Sequence, residues 1–157
     1  MTPGKSDAYY TLLPFMEQVG SADGVRFVHD TFKVVPPMNT AAYIDIFAER
    51  QVFAKEWRKL QAHYPLIIAP VSAQQIFPVG FDLGGSANIE ELFSANRLLG
   101  LINFLGLPSL ALPVGMGSHL PQSVQLIAPN YREDLCLAAG QIIEDRLGIL
   151  TPLDPRW

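Results

Sequence analysis

The sequence predicts a layered α/β fold, and two patterns carry this prediction. Apolar runs such as residues 66–69 and 109–114 are short, continuous and bounded by proline or glycine, which is typical of buried strands. Apolar residues at helical spacing precede and follow these runs, so helices and strands alternate along the chain. At 157 residues, the chain is long enough for one domain with a hydrophobic core but short for two.

We expect a single domain over residues 1–157, divided into three parts. Residues 1–38 form an irregular or helical lead-in, because glycines interrupt their apolar pattern and only Tyr9–Met16 looks helical. Residues 39–148 form the α/β body, since they hold the periodic helices and the apolar runs. Residues 149–157 form a proline-bearing tail.

The composition indicates a protein that has a partner. Hydrophobic residues make up 49% of the chain and charged residues 17%, against roughly 25% charged in an ordinary soluble domain. A chain of this size exposes part of that apolar surface unless another polypeptide, or a second copy, covers it. The net charge of −4 and the lack of basic clusters argue against nucleic acid as the partner.

The sequence gives no indication of export or of a membrane partner. Its first residues lack the charged and apolar regions of a signal peptide, so we expect a cytoplasmic protein. The uncharged stretch Leu98–Ser118 is long enough to cross a bilayer as a helix, but Pro108 and Pro113 would each break that helix. We predict instead the end of a helix, a turn at residues 106–108 and a buried strand.

The longest helix is predicted to begin after Asn39 or Thr40, because either residue can cap a helix start. Its apolar residues recur at helical spacing until Pro65 ends the helix. An aromatic stripe can also serve to stack nucleic-acid bases, but this spacing favours packing against the core. The stripe predicted to face the core consists of Tyr43, Ile46, Phe47, Phe53, Ala54, Trp57, Leu60 and Tyr64.

A short buried strand, Leu66–Ala69, follows this helix and is closed by Pro70. Residues 71–85 have few periodic apolar positions, so we predict a loop over the strand end, where loops of α/β proteins line pockets. A second helix is predicted from Asn88, because Asn88 and Glu91 have the spacing of a capping box. Its apolar stripe is Ile89, Leu92, Phe93, Leu99 and Ile102.

Two further strands are predicted at residues 109–114 and 123–128. A glycine-containing loop joins them, which indicates antiparallel neighbours. Pro113 lacks a backbone donor, so its strand belongs at a sheet edge or at a position where the missing donor has no partner.

A last helix is predicted from Asn130, because Glu133 again lies at the reciprocal capping position. It ends at Gly148, the residue type preferred just after a helix. Cys136 is the only cysteine, so we expect no disulfide and no zinc site built on cysteines, and we interpret it as a buried apolar residue. The residues predicted to be buried are Leu135, Cys136, Ala139, Ile142 and Ile143.

Metal and nucleotide sites are not indicated by any motif. His29, His63 and His119 are far apart and lack the close spacing of metal ligands. Neither a phosphate-binding loop nor the glycine motif of dinucleotide-binding proteins occurs in the sequence. We therefore expect no metal and no cofactor.

Ser86, which follows two glycines, is the one candidate nucleophile. A serine nucleophile requires a base that takes its proton and donors that hold the oxyanion. The nucleophile turn of α/β-hydrolases has glycine on both sides of the serine, whereas alanine and asparagine follow Ser86. His119 lies downstream, so the residue types alone leave a triad open, but the local pattern favours a loop that runs into a helix.

Three motifs follow one another in the second half of the chain. They are a Gly-Leu-Pro strand at 106–115, a Leu-Pro-x-x-Val-Gln strand at 120–127 and a helix with Glu-Asp in its opening residues at 132–139. In this order, and with the long helix that leads to residues 65–70, they resemble the C-terminal part of the amidase signature family. The resemblance spans residues 9–157 and implies the family's mixed-sheet α/β/α layered fold, only partly present.

The resemblance implies hydrolysis of a linear amide through an acyl-serine intermediate, without metal or cofactor. The family uses a serine nucleophile, a second serine and a lysine base, which come from a Gly/Ser-rich signature and an upstream lysine in an earlier part of a longer chain. Neither is recognisable here: residues 84–88 are in the wrong place and lack tandem serines, while Lys55 and Lys59 lie on an amphipathic helix. The resemblance therefore assigns no catalytic residue, and we expect the chain alone to be inactive.

The resemblance also implies a partner and a pocket wall. We expect the chain to associate with the missing N-terminal amidase portion, or with itself, through exposed apolar surface. A non-catalytic binding or self-associating module derived from an amidase is the alternative. The 71–85 loop would then line the acyl pocket, with Gln74, Phe77 and Asp82 as candidate residues.

Overall fold

The computed structural model describes residues 7–117 and 120–148, with side chains described from residue 13 onward. The predicted tail and His119 lie outside the described residues. Within the described ranges, helices and strands alternate, so the α/β class predicted from the sequence is confirmed. The elements are α1 Asp7–Val19, α2 Ala22–Val34, α3 Thr40–His63, β1 Ile67–Pro70, a 3-10 helix Phe81–Leu83, α4 Ser86–Ala95, α5 Arg97–Leu105, β2 Ser109–Gly117, β3 Leu120–Ile127 and α6 Glu133–Leu147.

The lead-in contains two helices, whereas the sequence analysis predicted only the first. Ser21 has extended backbone geometry, and its hydroxyl oxygen accepts a hydrogen bond of 3.1 Å from the Gly24 amide. Ser21 therefore caps α2. Gly24 lies in the first turn of this helix, although the sequence analysis interpreted that glycine as an interruption. A serine cap contributes about 1 kcal/mol, which offsets the similar cost of one glycine in a helix.

The described residues within Met1–Val52 and Gln74–Arg97 form one compact unit. In this unit α2 packs against α1, α4 and the 3-10 helix. Its buried apolar side chains come from three helices, which fits a small helical core. They are Leu13, Val28, Ile89 and Ala95.

Asp30 of α2 is a buried acid in this unit, and its carboxylate accepts a hydrogen bond of 2.6 Å from Lys33 Nζ. The hydrogen bond from Lys33 is the main cause that lowers the pKa of the Asp30 carboxyl below 3.8, and it outweighs the opposing effect of burial. A carboxyl whose pKa is lower in the folded state stabilises the fold above its unfolded-state pKa. That contribution is lost as the pH falls through the folded-state value.

We therefore expect Asp30→Asn to lower the free energy of unfolding near neutral pH, and this effect to be smaller at about pH 2. Urea unfolding of the variant and of the wild-type chain at both pH values measures the difference. Lys33→Met should reduce the same pH dependence, because Lys33 supplies the hydrogen bond. A deficit in Asp30→Asn that stays the same at both pH values would contradict this explanation.

The described residues within Phe53–Ala73 and Leu98–Trp157 form a second compact unit, which holds the sheet. The strand order is β1-β3-β2, and both pairs are antiparallel. The predicted antiparallel hairpin is therefore confirmed. Pro113 belongs to β2, an edge strand of the described sheet, and lies opposite Ser123 of β3. An edge strand is where a residue without a backbone donor is expected.

Helix α6 covers one face of this sheet. A Cβ on Gly140 would lie 2.6 Å from Leu110 Cδ2, so glycine at this position lets α6 approach β2 closely. Leu126 and Ile127 are both fully buried although consecutive strand residues point to opposite faces, so both faces of β3 are covered at this end. The cluster under α6 consists of Leu126, Ala128 and Cys136, with Leu66, Leu110, Leu135, Ala139 and Ile143 packed against it.

Most predictions for α6 are confirmed. Cys136 is 3% exposed, as expected of an apolar core residue, and burial raises the pKa of its thiol. The helix ends before Gly148, whose φ of 79° is one that glycine adopts readily. Two details were wrong: Ile142 is exposed, and the helix begins at Glu133 because the Asn130 amide instead donates to the Gly106 carbonyl at 2.9 Å.

Helix α3 begins as predicted, but its apolar stripe is not buried. The Ala42 amide donates to Asn39 Oδ1 at 2.8 Å, which confirms Asn39 as the cap. Ile46, Ala54 and Trp57 along the centre of the stripe are only half-buried. The flanking residues are exposed: Tyr43, Phe47, Phe53, Leu60 and Tyr64. The stripe therefore lies on the inward side of the helix, yet the described chain covers only its centre.

The long uncharged stretch that begins at Leu98 divides as predicted. It forms most of α5, a turn at Gly106 with φ of 68°, and the edge strand β2. The single helix predicted from Asn88 is instead two, because α4 ends at Ala95 and α5 begins at Arg97. Across the described ranges, no helix is both long and apolar enough to cross a membrane.

Candidate functional site

The three candidate pocket residues lie on the connection between β1 and α4. Residues 71–80 form the predicted irregular loop, and the 3-10 helix Phe81–Leu83 follows it. Gln74 is exposed, Phe77 is half-buried in the loop, and Asp82 is half-buried in the 3-10 helix. The pocket role of these residues remains a prediction.

An aromatic stack organises this connection. The Phe77 and Phe81 rings lie 4.4 Å apart between centroids at an interplanar angle of 23°, which is a stacked geometry favourable for aromatic pairs. The structure thus places Phe77 against the residue that precedes Asp82. Asp82 is therefore the next residue in the chain after a stacked aromatic pair.

Asn88 fixes the 3-10 helix to the start of α4, a role that the sequence analysis missed. Its Nδ2 donates a hydrogen bond of 2.8 Å to the Phe81 carbonyl. The predicted capping box was therefore wrong: α4 begins at Ser86, and Gly85 is its N-cap residue. The signal in the sequence was the glycine pair just before this helix.

At both positions of the Gly84-Gly85 pair, steric constraints favour glycine over any other residue. A Cβ on Gly84 would collide with the Asn88 side chain, so only glycine leaves room for the amide that binds Phe81. Gly85 has φ of 100° and ψ of −176°, a region almost restricted to glycine. The pair shapes a tight turn into α4.

Ser86 is the half-buried first residue of α4. Basic side chains of the same unit bind acids elsewhere: His29 lies 3.2 Å from Glu17, and Lys33 lies 2.6 Å from Asp30. These contacts place neither base at the Ser86 hydroxyl. The geometry of Ser86 fits a loop–helix junction better than a nucleophile, and its role remains a prediction.

The described residues also supply no metal-binding group. No set of three or more histidine, cysteine, aspartate or glutamate side chains is arranged there to hold a metal ion. His63, one of the histidines considered above, lies with Nδ1 3.1 Å from the Lys59 carbonyl of its own helix.

Comparison with known proteins gives a consistent result. A family model described as Amidase matches residues 5–137. Indoleacetamide hydrolase of Bradyrhizobium japonicum is 33% identical over 114 residues, which are 72% of this chain and 24% of that protein. A glutamyl-tRNA(Gln) amidotransferase polypeptide of Ligilactobacillus salivarius, named as one subunit of that enzyme, is 28% identical over 120 residues, which are 76% of this chain and 24% of that protein.

The fold also resembles solved structures. The structure of 6-aminohexanoate cyclic dimer hydrolase complexed with substrate superposes with a TM-score of 0.63 and 27% identity, covering 85% of this chain and 31% of that one. The chain spans about a quarter of the length of the curated relatives it matches. Its sequence and fold thus correspond to a part of these larger proteins.

Proposed function

Because the chain belongs to the amidase family, we propose that it forms part of a hydrolase that cleaves linear amide C–N bonds. The family match over residues 5–137 carries this proposal, since it covers most of the chain. The three motifs of the second half and the fold shared with a solved hydrolase support it. A cytoplasmic location remains the expectation.

The proposed reaction passes through an acyl-serine intermediate. A lysine base takes the serine proton while the serine oxygen bonds to the amide carbonyl carbon. The C–N bond then breaks, and the leaving nitrogen gains a proton and departs as ammonia or an amine. Water attacks the resulting ester, releasing the carboxylic acid and restoring the serine hydroxyl.

We propose that these catalytic groups come from polypeptide other than these 157 residues, so the chain alone does not turn over amides. Its own contribution is the three-stranded sheet with α6 and a wall of the acyl pocket built from Gln74, Phe77 and Asp82. The stack of Phe77 on Phe81 suits an apolar acyl group. One such group is that of indoleacetamide, the amide in the name of the Bradyrhizobium relative.

A second candidate function is a non-catalytic module that binds a partner or itself. The exposed aromatic and aliphatic side chains of α3 favour it, because such surface is typical of interaction sites. The related amidotransferase polypeptide of Ligilactobacillus salivarius is, by its name, one subunit of an assembly. Under both candidate functions, the chain alone is expected not to hydrolyse amides.

The experiment is to treat the purified chain with a serine-reactive fluorophosphonate and, separately, with indoleacetamide. We expect neither labelling nor ammonia release, and no change with Ser86→Ala, because His29 and Lys33 of the same unit contact acids rather than Ser86. Intact Bradyrhizobium indoleacetamide hydrolase serves as the positive control. Turnover by the chain that Ser86→Ala abolishes would contradict this proposal and identify an independent serine hydrolase.

A further inference from the structure

The carboxyl-terminal half of α3 and the strand that follows it expose four apolar side chains within the second unit. Phe53, Leu60 and Tyr64 are spaced by seven and four residues, so they lie on the same side of the helix. The Tyr64 amide still donates to the Leu60 carbonyl at 3.0 Å, which continues the helical geometry. With Ile68 of β1, these residues are called the α3–β1 surface.

The exposure of this surface is large for apolar residues. Phe53, Leu60 and Tyr64 are 53%, 43% and 63% exposed. Ile68 is 61% exposed although Leu126, its partner on β3, is fully buried. The cover that α6 gives to β3 therefore does not extend over the β1 side chain next to it.

Unpaired polar atoms under the same half of α3 provide an independent observation. Gln61 is only 4% exposed, and neither its Oε1 nor its Nε2 has a partner among the described residues. Trp57 Nε1 is also buried there without a partner. Buried polar groups in finished folds are almost always hydrogen-bonded, so this half of α3 lacks both apolar cover and polar partners.

We propose that the α3–β1 surface binds the part of an amidase that carries the catalytic serines and lysine. This inference rests on the proposed function. It commits to that partner because the chain corresponds to only 24% of one curated relative and 31% of one solved relative. In these two proteins, polypeptide about twice as long as this chain is therefore available to cover the surface.

The test pairs the full chain with the Bradyrhizobium japonicum indoleacetamide hydrolase from which the 114 matched residues are deleted, co-expressed as a separate polypeptide. Leu60→Glu and Leu137→Glu form a matched pair, because both leucines are exposed on helices of the same unit. We expect Leu60→Glu to weaken binding about tenfold or more, as loss of a central apolar anchor does. Leu137→Glu should change binding less than about twofold. Circular dichroism of both variants controls for folding.

Gln61→Leu adds a readout that a folding defect does not reproduce. It removes two buried unpaired atoms, so the thermal midpoint of the isolated chain should rise. The same variant should change binding to the partner polypeptide less than about twofold, because both amide atoms are buried and a docked partner does not reach them. A lower thermal midpoint would overturn this part of the inference.

Three results would overturn the inference as a whole. They are the lack of any association, equal losses in the two leucine variants, and a stable dimer of the chain by light scattering that Leu60→Glu dissociates. Failure of the proposed function is a different result: a complex that forms through this surface but hydrolyses no amide. Conversely, if the mixture hydrolyses the amide and Leu60→Glu changes neither binding nor activity, the proposed interface is wrong and the proposed function stands.

Discussion

Leu126→Ala is expected to lower the free energy of unfolding by about 2–5 kcal/mol. Leu126 is fully buried on β3, the strand that pairs with both of the others, and it belongs to the cluster under α6. Removing its side chain loses apolar contact and leaves a cavity, because strands on both sides hold the backbone in place. Urea unfolding followed by circular dichroism measures the loss as a shift in midpoint at constant slope.

Leu137→Ala is the matched control for this prediction. Leu137 lies on α6 but is 64% exposed, so its removal should change stability by less than about 0.5 kcal/mol. If the two variants lost similar stability, or if Leu126→Ala cost under about 1 kcal/mol, the core would not lie between α6 and β3.

Asn88→Asp is expected to lower the free energy of unfolding by about 0.5–2 kcal/mol once the favourable charge at the helix start is subtracted. The Asn88 amide donates to the Phe81 carbonyl at 2.8 Å, whereas an aspartate at neutral pH has no proton to donate and repels that oxygen. A negative charge in the first turn of α4 is favourable by about 0.3–1 kcal/mol. The loss of the hydrogen bond is the larger effect, so the net result is destabilising.

Asn39→Asp provides the contrasting case. Its Oδ1 accepts a hydrogen bond from the Ala42 amide, and aspartate keeps that acceptor, so the expected change is below about 0.5 kcal/mol. Denaturant unfolding of both variants gives the comparison. A neutral or stabilising Asn88→Asp would instead support Asn88 as the helix cap that the sequence pattern indicates.

Local stereochemistry explains what the sequence predicted well. Pro113 cannot donate a hydrogen bond and lies on an edge strand, Gly148 adopts a positive φ at the end of α6, and Asn39 caps α3. Each of these depends on one residue and its immediate neighbours. The predictions that Asn88 and Asn130 begin helices were wrong for the opposite reason. Their side-chain amides donate to carbonyls that lie 7 and 24 residues away in the sequence.

The stripe on α3 marks a different limit of sequence reasoning. Periodicity identified the side of the helix that carries the apolar residues, and the half-buried Trp57 lies on that side. It could not reveal that Phe53 and Tyr64 stay exposed, since burial depends on what covers the helix. The described chain covers only the middle of the stripe.

The loop that carries the candidate pocket residues was predictable from the sequence, whereas its internal contacts were not. The 71–85 loop was located from its lack of periodicity, and Phe77 was named there. Its stacking on Phe81 and the Asn88 hydrogen bond depend on the path of the turn, which Gly84 and Gly85 determine. The roles of Gln74 and Asp82 remain predictions, because they depend on the acyl pocket proposed above.

The central claim is that this chain is an amidase part that works only when joined to the catalytic part. The direct measurement is ammonia release from indoleacetamide by the chain, by the Bradyrhizobium enzyme without its matched residues, and by the two co-purified. We predict turnover for the co-purified pair and none for either polypeptide alone. Hydrolysis by the isolated chain, or a soluble complex that releases no ammonia, would contradict the claim.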